Sequence, residues 1–263
     1  MIRMNRLCAL AALAVLVLVL AGCPQPGGPG AATPAALVET AAVEPAAPVT
    51  VALFQDKSAS TNWSRTPQLT EATLKTLIDV VRERSGELGF GLFKDRSNRG
   101  LVRLRIDAPP DAPEEPKRTG HVYEDARVMN GYRQKMRQHD QATAQWRAET
   151  DGRVREFLSQ VDPLLNQPSD ASCTSIWEAV SRGDAFLAED SGSWPEPPHK
   201  WAIYVTDGIH NCGPGKPAAL RSGATLVVIN GANETGSIGS LNPKVFESLD
   251  AAFHFLKATE GGN

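Results

Sequence analysis

The sequence predicts an α/β fold in which helices cover a doubly wound, mostly parallel sheet. Three features of residues 49–263 predict it. Short apolar runs typical of buried strands recur along the segment. Amphipathic stretches with helical spacing lie between several of them, and two of the runs are followed directly by polar turns. Strands that alternate with helices form parallel sheets, because each helix carries the chain back before the next strand begins.

The strands are predicted from their apolar and β-branched residues. Residues 49–54 are almost continuously apolar, as expected for a strand buried on both faces of a sheet. Further runs of this kind lie at residues 89–93, 101–106, 201–205 and 224–229. The short polar link between the runs at 89–93 and 101–106 predicts that these two strands pair antiparallel.

Two helices are predicted from the spacing of apolar residues. Residues 69–84 carry Leu74, Leu77, Ile78 and Val81, which fall on one face of a helix. A second helix is predicted at residues 176–187. Each predicted helix lies between two predicted strands, as the alternating pattern of an α/β fold requires.

The N-terminal residues have the pattern of a secretory signal. Arg3 and Arg6 precede an apolar run at residues 8–20, which is shorter than the about 20 residues that span a bilayer. Leu-Ala-Gly-Cys, ending at Cys23, resembles the bacterial lipobox. The resemblance implies that residues 1–22 are removed and that Cys23 is lipidated. An uncleaved signal anchor is the alternative.

Residues 23–48 are predicted to be a disordered tether between the lipid and the domain. They are rich in Pro, Ala and Gly and contain few large apolar side chains, so they cannot form a core. At about 3.1 Å per residue, such a segment reaches roughly 80 Å. We therefore expect residues 49–263 to form the folded domain, anchored to a membrane of the bacterial envelope on its periplasmic or extracellular face.

The charge balance limits the partners of the protein. The formal net charge is −3, and it becomes −5 without the first 23 residues, which hold two Arg and no acid. No basic stripe suited to nucleic acid is present in the sequence. A mildly acidic surface is not attracted to anionic lipid either. We therefore expect no binding to nucleic acid, and membrane association through the lipid anchor alone.

The cysteines predict a disulfide in the domain. If Cys8 leaves with the signal and Cys23 carries lipid, Cys173 and Cys212 remain. Outside the cytoplasm, two remaining cysteines favour a disulfide. Two free thiols are the alternative, and a redox function is a third possibility that lacks the C-x-x-C spacing.

Three short polar segments carry the chemistry. Asp56, Ser58 and Ser60 follow the first strand, Thr174 precedes a helix, and Asp207 lies in a Thr-Asp-Gly triplet after the strand at 201–205. Their carboxylate and hydroxyl oxygens are the ligands that Mg²⁺ prefers. Each residue also has an ordinary structural explanation, because Ser and Thr cap helices and Asp is common in turns.

In this order along the chain, the segments resemble the metal-ion-dependent adhesion site of a von Willebrand factor A domain. The resemblance implies a Rossmann-like sheet with one antiparallel edge strand. It also implies that Ser58, Ser60 and Thr174 ligate the cation directly, whereas Asp56 and Asp207 act mainly through water in its coordination shell. The cation is expected to be Mg²⁺, with Mn²⁺ or Ca²⁺ as alternatives. A site with neutral direct ligands leaves charge on the cation, which then takes an Asp or Glu from a partner protein.

The sequence departs from this family in three places. The family often has Gly before the Thr, where this chain has Cys173, and a disulfide there would change the stiffness of the loop. The stretch from Asp56 to Thr174 is long, which indicates an insertion at about residues 108–170. Residues 243–249 have a helical pattern. The family also ends on a strand, so we expect residues 252–257 to form a strand, with continuation of the helix as the alternative.

The insertion combines a Pro-rich piece at residues 108–116 with a charged, helix-patterned stretch at 121–165. We expect two helices or one long bent helix beside the metal site, acting either as a solvated arm or as a partner-contact or lid element. Trp63 and Trp177 lie near the polar segments. An exposed Trp63 is a possible partner contact, whereas core packing is the plainer explanation for Trp177.

The expected function is that of an envelope-anchored adhesion or assembly module and not of an enzyme. The first alternative is a metal-dependent hydrolase that uses the same site. Such an enzyme needs a general base or nucleophile near the ion, and the sequence offers no convincing one beyond the two carboxylates. The second alternative is a structural lipoprotein in which the site is empty, although all five oxygen-bearing residues are present.

The anchor is tested by the substitution Cys23→Ser. Because only a lipidated cysteine holds the chain at the membrane, the variant should either leave the membrane fraction or accumulate with its signal uncleaved. Membrane fractionation with mass determination of the N-terminus measures both. A correctly cleaved variant that stays in the membrane fraction would contradict lipid anchoring at this residue.

Overall fold

The computed structural model describes residues 47–62, 64–95, 100–189, 194, 196–212, 220–231 and 236–258. The chain divides into two units, Met1–Val43 and Glu44–Asn263, and the described residues all lie in the second. The signal at 1–22, Cys23, nearly all of the tether and Trp63 lie outside the described residues, so the predictions made for them remain predictions.

In the described part of the chain, six strands form one sheet. They are β1 (Val49–Asp56), β2 (Gly86–Phe93), β3 (Val102–Ile106), β4 (His199–Val205), β5 (Thr225–Ile229) and β6 (Lys244–Phe246). Their order across the sheet is β3-β2-β1-β4-β5-β6. All neighbouring strands pair parallel except β2 and β3, which pair antiparallel at one edge. The α/β fold with a mostly parallel sheet and one antiparallel edge strand is thus confirmed.

Four α-helices accompany the sheet in the described ranges. They are α1 (Glu71–Arg84), α2 (Val122–Leu165), α3 (Ile176–Ala188) and α4 (Leu249–Ala258). Helices α1 and α4 and the end of α2 share one apolar core with one face of the sheet, and α3 shares a second core with the other face. Strand β1 supplies both cores, because Val51 and Leu53 point to the first and Ala52 and Phe54 to the second.

The C-terminal prediction was wrong in both of its parts. Residues 243–249 were expected to be helical, but Lys244–Phe246 form β6, in which Val245 lies opposite Val228 of β5. Residues 252–257 were expected to form a strand, with helix as the alternative, and they are helical because they belong to α4. That helix buries apolar residues at helical spacing, namely Leu249, Ala252, Phe253 and Leu256. The final strand therefore exists, but it precedes the last helix.

The insertion contains one helix, α2, of 44 residues, so the alternative of two helices is wrong. At about 1.5 Å per residue it is about 66 Å long. Its C-terminal half packs on the domain core through Val154, Phe157 and Val161. Its N-terminal half is solvated, and the side chains of Val122 and Tyr123 are 78% and 93% exposed.

The Pro-rich segment before α2 runs back along the helix. Trp146 Nε1 donates to the carbonyl of Asp107 at 3.0 Å, and His139 Nε2 lies 3.2 Å from the carbonyl oxygen of Pro110. Farther out, Thr119 donates to the carboxylate of Asp125. The three half-buried residues of this segment, Pro110, Pro113 and Pro116, recur every third position, which is the period of a polyproline helix.

None of the helices in the described ranges combines the length and the apolar character needed to cross a lipid bilayer.

The unequal halves of α2 predict unequal effects of aromatic truncation. Phe157→Ala removes a side chain that is 2% exposed, and it should lower the free energy of unfolding by about 3–5 kcal/mol. Tyr123→Ala, on the same helix, should change it by less than about 0.5 kcal/mol. Urea unfolding of both variants measures the difference. Equal effects would contradict the packing of α2.

Candidate metal centre

The candidate site lies at the carboxyl ends of the adjacent strands β1 and β4. The chain leaves β1 toward β2 on one side and returns to β4 on the other, so the strand order reverses between these two strands. Parallel sheets bind ligands at such a reversal, because the loops that leave the two strands diverge and open a crevice. Asp56 is the last residue of β1, and Thr206 and Asp207 directly follow β4.

Asp56 links the two strand ends. Its carboxylate is fully buried, with Oδ1 accepting from the backbone N–H of Ser58 at 2.8 Å and Oδ2 accepting from the hydroxyl of Thr206 at 2.7 Å. Burial raises the pKa of Asp56 to about 6, against the opposing effect of the hydrogen bonds from Ser58 and Thr206, and the nearby charge of Asp207 raises the pKa further.

Ser58 and Ser60 present neighbouring hydroxyls, whose oxygens are 3.0 Å apart. A short 3-10 turn (Ala59–Asn62) follows Ser58 and gives this loop its shape. The hydroxyl of Thr61 donates to the carbonyl of Ser58 at 2.7 Å. The backbone N–H of Ser58 donates to the carboxylate of Asp56, and the hydroxyl of Ser58 lies beside that of Ser60. The two serines and the carboxylate therefore form one cluster.

Thr174 is held against the same cluster by its loop. Ala171 pairs with Ser58 in an isolated parallel bridge, in which the N–H of Ala59 donates to the carbonyl of Ala171 at 2.9 Å. On the other side, the N–H of Thr174 donates to the side-chain oxygen of Asn211, and the N–H of Asn211 donates to the carbonyl of Thr174 at 3.3 Å. Helix α3 begins after Ser175, so Thr174 is not its capping residue.

Asp207 occupies the turn after β4. Its Oδ1 accepts from the N–H of Ile209 at 3.0 Å, as expected for an aspartate that shapes a turn. Gly208 has a φ of 79°, which explains why Gly follows Asp in this triplet. The carbonyl of Gly208 accepts from the N–H of Ser237 at 2.7 Å.

Two buried oxygens of the predicted set have no hydrogen-bond partner among the described residues: Thr174 Oγ1 and Asp207 Oδ2. An unpaired buried polar atom costs about 1–3 kcal/mol, so such atoms are uncommon unless a ligand binds them. No group of three or more His, Cys, Asp or Glu suited to a metal occurs in the part of the chain that the structure describes. The donors at this edge are carboxylates and hydroxyls, and they fit a hard divalent cation.

Cys173 and Cys212 are both free, half-buried thiols in the structure. The two thiols hydrogen bond to each other, and Cys212 Sγ lies 3.6 Å from the carbonyl oxygen of Asp95. Burial, followed by the contact with Cys173 and the charge of Asp95, raises the pKa of the Cys212 thiol to about 12. The two cysteines are neighbours, and the disulfide between them remains a prediction.

Three residues at the site were given no function from the sequence. Thr206 fixes Asp56, Asn211 holds Thr174, and Lys57 extends away from the oxygen cluster to the carbonyl of Leu165 at 2.8 Å. Burial lowers the pKa of Lys57, as does the charge of Lys94. Thr206 could have been found from its place in the Thr-Asp-Gly triplet. The contacts of Asn211 and Lys57 join distant parts of the chain and leave no pattern in the sequence.

Comparisons with known proteins identify no family. No family model matches the chain, and no curated protein matches it. Among solved structures, proximal thread matrix protein 1 from the mussel byssus aligns at 12% identity with a TM-score of 0.36 over 81% of this chain and 47% of its own. The pilus adhesin SpaC from Lactobacillus rhamnosus GG aligns at 13% identity with a TM-score of 0.37 over 82% of this chain and 30% of its own. In its open conformation, SpaC aligns at 14% identity. This chain thus spans less than half the length of each.

The raised pKa of Asp56 predicts how the stability of the metal-free protein depends on pH. Between pH 3.8, the ordinary pKa of an aspartate, and about pH 6, the folded protein binds more protons at this residue than the unfolded chain does. The free energy of unfolding should therefore fall as pH rises through this range, by about 3 kcal/mol at most. Urea unfolding in the presence of a chelator measures it. The variant Asp56→Asn should lack this component, and parallel pH profiles of the two proteins would contradict the raised pKa.

Proposed function

We propose that this chain is an envelope-anchored lipoprotein whose von Willebrand factor A-like domain binds a divalent cation and, through it, an acidic residue of a partner protein. The cation is Mg²⁺, with Mn²⁺ or Ca²⁺ as alternatives. The observation that carries the proposal is a pair of buried oxygens, Thr174 Oγ1 and Asp207 Oδ2, that have no hydrogen-bond partner in the described part of the chain. Their loops are joined to the Asp56 loop, through Ala171 and Thr206 respectively.

The donor set supports a cation that keeps positive charge for a partner. Three of the five donors, Ser58, Ser60 and Thr174, are neutral hydroxyls. Asp56 is already engaged by two hydrogen bonds, which hold its carboxylate in place. A bound cation would supply a positive charge that attracts an external carboxylate.

The surroundings of the site favour protein binding over hydrolysis. Hydrolysis requires a general base within reach of the reacting water. The ammonium of Lys57 is occupied by the carbonyl of Leu165 and the side chain of Gln68. The ring of His210 lies beside the half-buried ring of Trp177, with 5.6 Å between their centroids. Lys57, engaged by Leu165 and Gln68, does not stand ready as a base toward the oxygen cluster.

The substitution Asp207→Ala tests the site, because it removes a carboxylate with an unpaired buried oxygen. Affinity for Mg²⁺ or Mn²⁺ should fall by about 10–100-fold, the range expected when a supporting group is lost. Asp56→Ala should have an effect of similar size. Calorimetry of the full chain in detergent measures both. Asp79→Ala on the exposed face of α1 is the matched control and should bind as wild type does.

Partner binding is tested with the same variants. Wild-type protein should retain envelope proteins on an affinity resin in Mg²⁺ and release them in chelator, whereas the Asp207→Ala protein should retain none in either buffer. If wild type binds no divalent cation, or if retention is the same with chelator, the proposed function is wrong.

A further inference from the structure

Two consecutive residues after β4 hold two consecutive residues before α3. Asn211 makes two hydrogen bonds to Thr174, one to its backbone N–H and one from its own N–H to the carbonyl. Cys212 makes a thiol contact with Cys173. These four residues form a clasp between the loop that carries Asp207 and the loop that carries Thr174.

We propose that this clasp positions Thr174 for the cation, with Asn211 as the positioning residue and the Cys173–Cys212 pair as a covalent lock whose redox state sets the cation affinity. The inference rests on the proposed function, since it concerns the same site. It adds Asn211, which would not contact the cation itself, and the oxidation of the two cysteines, which would alter how firmly Thr174 is held.

The geometry explains why Asn211 matters for Thr174. The Thr174 hydroxyl has no hydrogen-bond partner among the described residues, so its own side chain does not fix its direction. Asn211 binds both the N–H and the carbonyl of that residue, which fixes the orientation of the backbone from which the hydroxyl projects. A ligand held in place before binding loses less conformational entropy on binding, and the affinity rises accordingly.

The thiol pair can lock this arrangement without moving the loops far, because the adjacent residues Asn211 and Thr174 are joined by two hydrogen bonds and the Cys212 thiol lies within hydrogen-bond reach of Cys173. Both cysteines are half-buried and therefore reachable by a small oxidant or an exchange partner. In thiol–disulfide exchange, the two thiols form one S–S bond, and the disulfide of an oxidoreductase or of oxidised glutathione is reduced to two thiols. The two protons and two electrons pass to that co-reactant, so the exchange balances.

Linkage adds a second consequence. If the disulfide raises cation affinity by some factor, the cation must raise the equilibrium constant for disulfide formation by the same factor. We expect a factor of about five or more, the lower end of usual coupling between sites. This equality distinguishes a lock on the site from a disulfide that only stabilises the domain.

The experiment compares two samples of the full chain in detergent, one oxidised with oxidised glutathione and one reduced with a phosphine. Peptide mapping verifies the Cys173–Cys212 disulfide in the oxidised sample. Mn²⁺ affinity is measured for both states. The double variant Cys173→Ser, Cys212→Ser should bind like the reduced wild type in both buffers. In the reduced state, Asn211→Ala should bind about tenfold more weakly. Asn211→Asp keeps the accepting oxygen and adds a negative charge, so it should bind at least as tightly as wild type.

Unfolding in chelator measures the structural cost separately. Asn211→Ala leaves the buried N–H of Thr174 without its acceptor, so it should unfold at a lower urea concentration than Asn211→Asp while staying folded in the absence of urea, where Mn²⁺ affinity is measured. Equal Mn²⁺ affinity in both redox states, together with wild-type affinity for Asn211→Ala, would overturn the clasp and leave the proposed function standing. Absence of Mn²⁺ binding in either state would overturn both. A glutathione equilibrium that Mn²⁺ leaves unchanged requires, by linkage, equal Mn²⁺ affinity in the two redox states, and it would overturn the lock.

Discussion

The hydrogen bond between the hydroxyl of Thr206 and the buried carboxylate of Asp56 is the interaction on which the candidate site depends. It joins the ends of β1 and β4, the two strands between which the order of the sheet reverses. The same carboxylate accepts the N–H of Ser58 and so fixes the start of the serine loop. One buried group therefore sets the positions of two of the three loops that supply oxygens, and the third loop pairs with the first through Ala171.

This arrangement is a compromise between stability and ligand binding. The carboxylate of Asp56 is held by two strong donors, yet burial still raises its pKa, so the donors do not fully replace the water it loses. Thr174 and Asp207 each bury an oxygen that has no hydrogen-bond partner within the described ranges. Proteins tolerate such costs where a ligand relieves them. Along β1, apolar residues alternate between two continuous cores, and the buried hydroxyl of Thr50 is a further polar group of that strand without a hydrogen-bond partner among the described residues.

The predictions from sequence succeeded where a pattern has a single physical cause. Apolar runs marked the strands β1, β4 and β5, because a strand buried on both faces admits little else. The pattern was ambiguous at the C-terminus, where β6 has only three residues and pairs on one side, so it leaves almost no periodic signal. It was also ambiguous in α2, where Gly131, Gly152 and Pro163 suggest a break. The two glycines face open space, and the proline lies in the last turn, so one helix continues through all three.

The position of the insertion ties the long helix to the site. Helix α2 ends at Leu165, whose carbonyl accepts the ammonium of Lys57 from within the Asp-x-Ser-x-Ser loop. The chain then runs through Ser169, which accepts from Asn62, before it reaches Thr174. A buried ammonium at the carbonyl end of a helix is stabilised by the helix dipole as well as by the hydrogen bond. The segment between the end of α2 and Thr174 is therefore bound to the serine loop at two points, Lys57 before Ser58 and Asn62 after Ser60. An insertion placed after β4 would have left the loop before Thr174 short and without these contacts. Here, the end of α2 and Thr174 lie on one stretch of backbone that is bound to the serine loop.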